Sequence, residues 1–161
     1  MNIRHATMAD LEQLAAIEAA SYPAEEGASK QSIHARLTHF ADHFWLLEQQ
    51  GEIMAFINGM VSNHADLSDE MYDDSTMHDA TGDWQMIFSV VTAPAQRGKG
   101  YAAQLLQQVI DDSRVAQRKG IVLTCKANLL DFYAKFGFLD EGVSASTHGQ
   151  VQWHQMRLRF E

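Results

Sequence analysis

The segment Val90-Val91-Thr92-Ala93-Pro94-Ala95-Gln96-Arg97-Gly98-Lys99-Gly100-Tyr101-Ala102 runs from a short apolar stretch through a glycine turn into the start of a helix. Residues of these types in this order suit a pyrophosphate. Glycine lets backbone amides approach a ligand with no side chain in the way, and the first turn of a helix offers free N–H groups with roughly half a positive charge. The spacing is neither Gly-x-Gly-x-x-Gly nor Gly-x-x-x-x-Gly-Lys-[Ser/Thr], so the common nucleotide motifs do not account for it. An ordinary strand-to-helix turn with a basic rim is the competing reading of the same residues.

The elements that position this turn are legible on both sides of it. Before it, Ile3 to Ala6 reads as a short strand, and Thr7-Met8-Ala9-Asp10 as a capping box ahead of apolar Leu11, Leu14, Ala15 and Ile17. Pro23 breaks that helix, and a second one is expected from about Lys30 to His39 with Ile33 and Leu37 inward. Phe44 to Glu48 and Ile53 to Val61 form a hairpin about Gln50-Gly51, Asn63 to Asp83 a polar excursion, and Met86 to Val91 one buried central strand. After the turn, Leu105, Leu106, Val109 and Ile110 recur at helical spacing up to Lys119, with Gly120 placed as a left-handed cap. Ile121 to Cys125 then reads as a buried strand, Leu129 to Phe136 as a short helix closed by Gly137, and Val151 to Phe160 as a final strand. The alternation argues for a mixed α/β sheet.

A chain of 161 residues with 46% hydrophobic content suits a single domain spanning 1–161. Twelve basic against 21 acidic residues give a net charge of −9, which disfavours nucleic acid or an anionic membrane as partner and favours a cationic one, or serves solubility alone. The single Cys125 excludes an internal disulfide framework, and Met1-Asn2-Ile3-Arg4-His5 lacks the apolar core of a signal peptide. A cytoplasmic location is expected. No apolar run approaches bilayer length, and no internal repeat is visible.

Arg97-x-x-Gly100-x-Ala102 after a strand resembles the acyl-CoA signature Arg-x-x-Gly-x-Gly/Ala of the GNAT superfamily of N-acetyltransferases, and the element order is similar to that fold. The fold implied is a mixed, mostly antiparallel central sheet flanked by helices. Three further segments, Ser21-Tyr22-Pro23-Ala24-Glu25-Glu26-Gly27-Ala28-Ser29, Phe132-Tyr133-Ala134-Lys135-Phe136-Gly137-Phe138 and Ser144-Ala145-Ser146-Thr147-His148-Gly149, resemble the arylalkylamine (serotonin) N-acetyltransferase-like branch. The resemblance implies acetyl-CoA as co-substrate. It places the pyrophosphate on Arg97, Gly98, Lys99, Gly100, Tyr101 and Ala102, the acetyl oxygen and pantetheine arm on backbone groups of Val90, Val91 and Thr92, and Asn128 on the same arm. Asn128 reads equally as a helix N-cap.

Acetyl transfer needs a neutral amine, a polarised thioester carbonyl and a proton for the departing thiolate. The resemblance gives the last task to Tyr133, whose phenol, of pKa ~10, is a suitable acid; packing in an aromatic cluster is the plainer reading. Animal arylalkylamine enzymes carry two histidines on the central strand, and those positions are Met86 and Phe88 here, neither of which takes a proton. Substitute bases are Glu25, Glu26, Asp83 and His148 acting through water, and Thr124 matches a substrate-contacting position. The acids of the excursion, with no lysine or arginine among them, either steer a cationic amine or form a solvated loop. His64 and His78 lack zinc-ligand spacing, so no metal is expected, and Cys125 has no histidine motif nearby to make it a nucleophile.

The activity expected is direct acetylation, in a ternary complex, of a small primary amine of arylalkylamine or polyamine-like type. A GNAT protein acting on a protein N-terminus, a lysine or an antibiotic, or a non-catalytic CoA-binding module, remains the alternative. Monomer and homodimer are both open.

Overall fold

Asp10 closes the first turn of the chain: its carboxylate accepts the Thr7 N–H at 2.8 Å and pairs with Arg4 at 2.7 Å. In the computed structural model, which describes residues 1–146, 149 and 151–161, strand β1 (Asn2–His5) therefore leads straight into helix α1 (Leu11–Ser21). Next come α2 (Lys30–Phe40), capped by Ser29, then β2 (Phe44–Gln49), β3 (Glu52–Asn58) and the short β4 (Val61–Ser62). Helix α3 (Asp69–Asp73) precedes β5 (Trp84–Ile87) and β6 (Ser89–Thr92). The chain continues through α4 (Tyr101–Val115), β7 (Gly120–Cys125), α5 (Leu130–Ala134), β8 (Leu139–Val143) and β9 (His154–Arg159).

The chain divides into two compact units interleaved in sequence, Met1–Gly59 with Ser89–Val109, and Met60–Phe88 with Ile110–Glu161. In the first, four antiparallel strands run in the order β1-β2-β3-β6. Left-handed Gln50 (φ 53) and Gly51 (φ 80) make the expected hairpin turn between β2 and β3, a backbone pair whose twist matches the strands it joins. Leu14, Ile33, Leu37, Phe40, Phe44 and Phe56 fill this unit's core. In the second, the order is β4-β5-β7-β9-β8, and β5 with β7 is the parallel pair. The architecture is the mixed, mostly antiparallel α/β arrangement expected.

Several boundaries differ from the sequence reading, each for a physical reason. The apolar run Met86 to Val91 is not one strand: the chain changes partners at Phe88, with β5 parallel to β7 and β6 antiparallel to β3. Both halves are apolar, so hydropathy alone does not mark the change. Ile53 to Val61 likewise divides into β3 and β4 about Gly59-Met60. Gly120 is no left-handed cap; Gln117 takes that conformation (φ 61), and Gly120 opens β7 where a Cβ would lie 2.1 Å from the Leu158 carbonyl oxygen. The excursion 63–83 is anchored by Leu67 and Met71, 7% and 2% exposed. The final strand is shorter than expected, and its neighbour β8 went unread because Leu139 and Val143 are exposed, leaving an edge strand without inward apolar alternation.

Candidate active site

The glycine turn follows a strand edge whose orientation can be worked out. Ala93 donates its N–H to Met54 O at 2.9 Å, and the ladder pairs Val91 with Phe56 and Thr92 with Ala55. In an antiparallel pair, main-chain groups alternate between facing the partner and facing away. Val91 and Ala93 thus bond toward β3, while Val90 and Thr92 present N–H and C=O on the other side, and β6 is the last strand of its sheet. The Thr92 carbonyl accepts Arg97 Nε at 3.4 Å, in keeping with that direction, and Arg97 also donates to Ser21 Oγ at 3.2 Å.

Beyond the strand, Gly98 (φ 81) and Gly100 (φ 80) are both left-handed, a conformation that other L residues adopt only under strain. A Cβ built on either would meet nothing within 4 Å, so the space before the turn is open. Gly100 O accepts the Gln104 N–H at 3.1 Å, which starts α4 and leaves its first amides without acceptors inside the helix. Lys99 lies against Gln96 Oε1 at 2.9 Å; Tyr101 and Ala102 are half-buried in the first turn. Residues of these kinds fit a phosphate-bearing ligand on main-chain donors with two cations on the rim.

In the second unit, Tyr133 is buried on α5, edge-on to Phe132 at 5.0 Å and to Phe138 at 5.9 Å. Left-handed Gly137 (φ 97) folds the chain back so that Phe138 can meet that ring. Asn128 is exposed inside a 3-10 turn, Ala127–Leu129, capped by Lys126, so it is not the helix cap that its residue type also allowed. Thr124 on β7 lies 3.1 Å from Tyr72 Oη.

The other candidates scatter. Glu25 is exposed and Glu26 half-buried in the loop after α1. Asp83 pairs with Lys119 at 3.3 Å, and His148 lies outside the described residues. Met86 and Phe88 are buried apolar side chains. Among the described residues, no three His, Cys, Asp or Glu side chains gather as a metal-ligand set. Cys125 is buried, and desolvation pushes its thiol up to about 11, the Asp140 charge adding to this, which makes it a poor nucleophile.

Two features went unread in the sequence. One is Tyr72, hidden in the polar excursion. The other is a buried chain in the first unit: Arg36 Nη1 donates to Asn58 Oδ1 (3.1 Å), Asn58 Nδ2 to Ser89 Oγ (2.6 Å), and Ser89 Oγ to Glu18 Oε1 (3.4 Å). Glu18 also takes the Ala28 N–H at 2.9 Å, tying the loop after α1 to the start of β6. The signal was present, because Glu18 stands four residues after Leu14 on the apolar stripe, where an acid must find partners.

A strand edge offering its main chain, a left-handed glycine pair and a cationic rim suit a phosphate-bearing acyl carrier. The model of the acetyltransferase (GNAT) family matches residues 11–138, and the chain belongs to that family. It is an acyltransferase using acetyl-CoA. No characterised protein sequence matches it significantly. Among solved structures it is similar to the GphF GNAT-like decarboxylase in complex with isobutyryl-CoA, at 18% identity over 99% of both chains with a TM-score of 0.85. It is also similar to the loading GNATL domain of CurA from Lyngbya majuscula, at 14% identity over 98% of this chain and 96% of that one, TM-score 0.84. The ribosomal-protein-S18-alanine N-acetyltransferase from Escherichia coli shares 17% identity over 98% and 92% of the two chains, TM-score 0.73. At these identities the likeness is one of fold. No helix among the described residues is long and apolar enough to cross a membrane.

Proposed function

We propose that the protein acetylates a small primary amine directly, within a ternary complex in the cytoplasm, as a member of the arylalkylamine N-acetyltransferase-like branch. The observation that carries this reading is the outward edge of β6 running into the left-handed Gly98 and Gly100. Acetyl-CoA, when bound, supplies a thioester carbonyl that an amine can attack. Gly98 to Ala102 hold the pyrophosphate with Arg97 and Lys99 on its rim. The outward main-chain groups of Val90 and Thr92 align the pantetheine arm and the carbonyl, beside Val91, and Asn128 bonds the same arm. As the N–C bond forms and the C–S bond breaks, Tyr133 Oη gives its proton to the sulfur, while the ammonium loses its own to water held by loop residues such as Glu26. Tyr133 is buried with its ring edge-on to Phe132 and Phe138, which fixes the direction of its hydroxyl.

The deciding experiment is free-thiol release from acetyl-CoA across a panel of arylalkylamines, polyamines and amino-terminal peptides, with mass spectrometry of the product. Thiol release with an N-acetylated small amine is expected; release only with a peptide would move the acceptor to a protein terminus. A second reading has one observation in its favour, the two neighbours with TM-scores above 0.8, one of them a GNAT-like decarboxylase. Loss of carbon dioxide from a carboxylated acyl-CoA, with the thioester intact and no amine required, would establish it instead.

A further inference from the structure

Of the residues given no role so far, Tyr72 has surroundings built about a polar group. Helix α3 is short but firmly seated: Met71 is 2% exposed, and Leu67 just ahead of it is buried with its N–H on Gln155 Oε1 at 3.1 Å. From this support the Tyr72 hydroxyl reaches Thr124 Oγ1 at 3.1 Å, and its ring lies 4.7 Å from that of Phe88, tilted by 38°. Thr124 is the one residue of β7 that is not fully buried. Asp69 stands three residues before Tyr72, one helical turn away on the same face, and takes Ser146 Oγ at 2.5 Å.

Four other acids of the excursion bond locally. Asp66 pairs with Arg157 at 2.7 Å, Asp74 takes the Thr76 N–H at 3.0 Å, Asp79 the Thr81 N–H at 3.0 Å, and Asp83 pairs with Lys119. Asp69, on the face of α3 that carries Tyr72, suits the positive charge of an ammonium group. Two rings bound such a charge favourably, and hydroxyl and carboxylate oxygens accept its N–H groups.

We propose that Asp69, Tyr72, Phe88 and Thr124 form the subsite that receives the ammonium end of a primary amine. The proposal rests on the acceptor-amine reading above and names the residues that would select the acceptor. Three variants test it, Asp69→Asn, Tyr72→Phe and Thr124→Val, with phenethylamine and spermidine as probes. Steady-state KM values are measured for amine and for acetyl-CoA, and calorimetry follows phenethylamine binding to the CoA-loaded protein. Asp69→Asn and Tyr72→Phe should each raise the phenethylamine KM about tenfold and leave that for acetyl-CoA within about twofold. The parent's amine KM should climb with salt and that of Asp69→Asn should not. Parental amine KM and affinity in all three variants would overturn the subsite while the acetyltransferase reading stood. A parallel rise in both KM values in every variant would overturn it too, being the mark of general loss of structure. Phenethylamine binding that weakens in the variants, with no thiol release from the parent, would keep the subsite and remove the acetylation reading, whereas a parent that neither binds nor acetylates any amine would refute both.

Discussion

Replacing Gly100 separates the backbone requirement of the turn from its electrostatics. At φ 80 an L side chain costs about 1–2 kcal/mol, and the open space around the Cβ position adds no clash. In a chain of this length each kcal/mol lowers Tm by about 2–4 °C, so Gly100→Ala should melt about 2–8 °C below the parent without ligand. Gly100→Asp carries the same strain, but its carboxylate meets the first amides of α4 and offsets part of it, as an acid at a helix start does. Without ligand, then, the aspartate variant should be at least as stable as the alanine variant. With CoA the order reverses. At 100 times Kd a ligand stabilises by about 2.7 kcal/mol, a rise of about 5–11 °C, which the alanine variant should largely keep. In the aspartate variant the carboxylate occupies the donors and repels the phosphates, and the rise should vanish. Differential scanning fluorimetry with and without CoA makes the comparison. A full CoA-induced rise in Gly100→Asp would refute the cradle, and its loss in Gly100→Ala as well would show that the turn's conformation matters and its charge does not.

Tyr133→Phe removes one hydroxyl and should lower turnover about a hundredfold with little change in acetyl-CoA affinity; near-parental kcat would return Tyr133 to packing. Cys125→Ala should keep kcat within about twofold, and the parent thiol, raised to about 11, should resist iodoacetamide at pH 8 until the protein unfolds. Trapping of an acetyl-enzyme on that cysteine would contradict direct transfer. Hydrogen bonding from Arg4 holds the Asp10 carboxyl below its ordinary 3.8, so its contribution is present above that pH and is lost as pH falls through the lower folded value. Asp10→Asn should therefore cost about 1.5–3 kcal/mol in urea unfolding at pH 7, and the gap should close below the ordinary aspartate range; a gap independent of pH would contradict the pairing.

What the sequence disclosed and what it withheld follow one physical line. Periodicity found α4 because it turns a single apolar stripe inward, the Thr7–Asp10 capping box marked the approach to α1, and turn chemistry found Gln50-Gly51 and Gly137 because left-handed backbone leaves a residue signature. The break at Phe88 stayed hidden, since changing hydrogen-bonding partner alters no side chain's preference for burial. Gly120 was misread because close approach of another strand and a positive φ both call for glycine, and only the Leu158 carbonyl tells them apart. The glycine turn was legible through its motif. The residues proposed to receive the amine were less so: Thr124 could be named, but its partner Tyr72 stands 52 positions away in a stretch that reads as loop.

The chain of bonds from Arg36 through Asn58 and Ser89 to Glu18 has a consequence for fidelity. Asn58 and Ser89 are direct partners across β3 and β6, so their bond indexes one strand against the other. A slip of one residue would bring Phe88 or Val90 opposite Asn58 and strand an arginine and a glutamate in the interior, at a cost of about 3–5 kcal/mol for an uncompensated buried charge. The same slip would swap the main-chain groups on the outer edge, turning Val91 outward in place of Val90 and Thr92. An edge that offers main-chain groups carries no lettering of its own and tolerates drift in side chains. Its meaning lies wholly in alignment, and that alignment is kept by four interior side chains standing behind the edge they set.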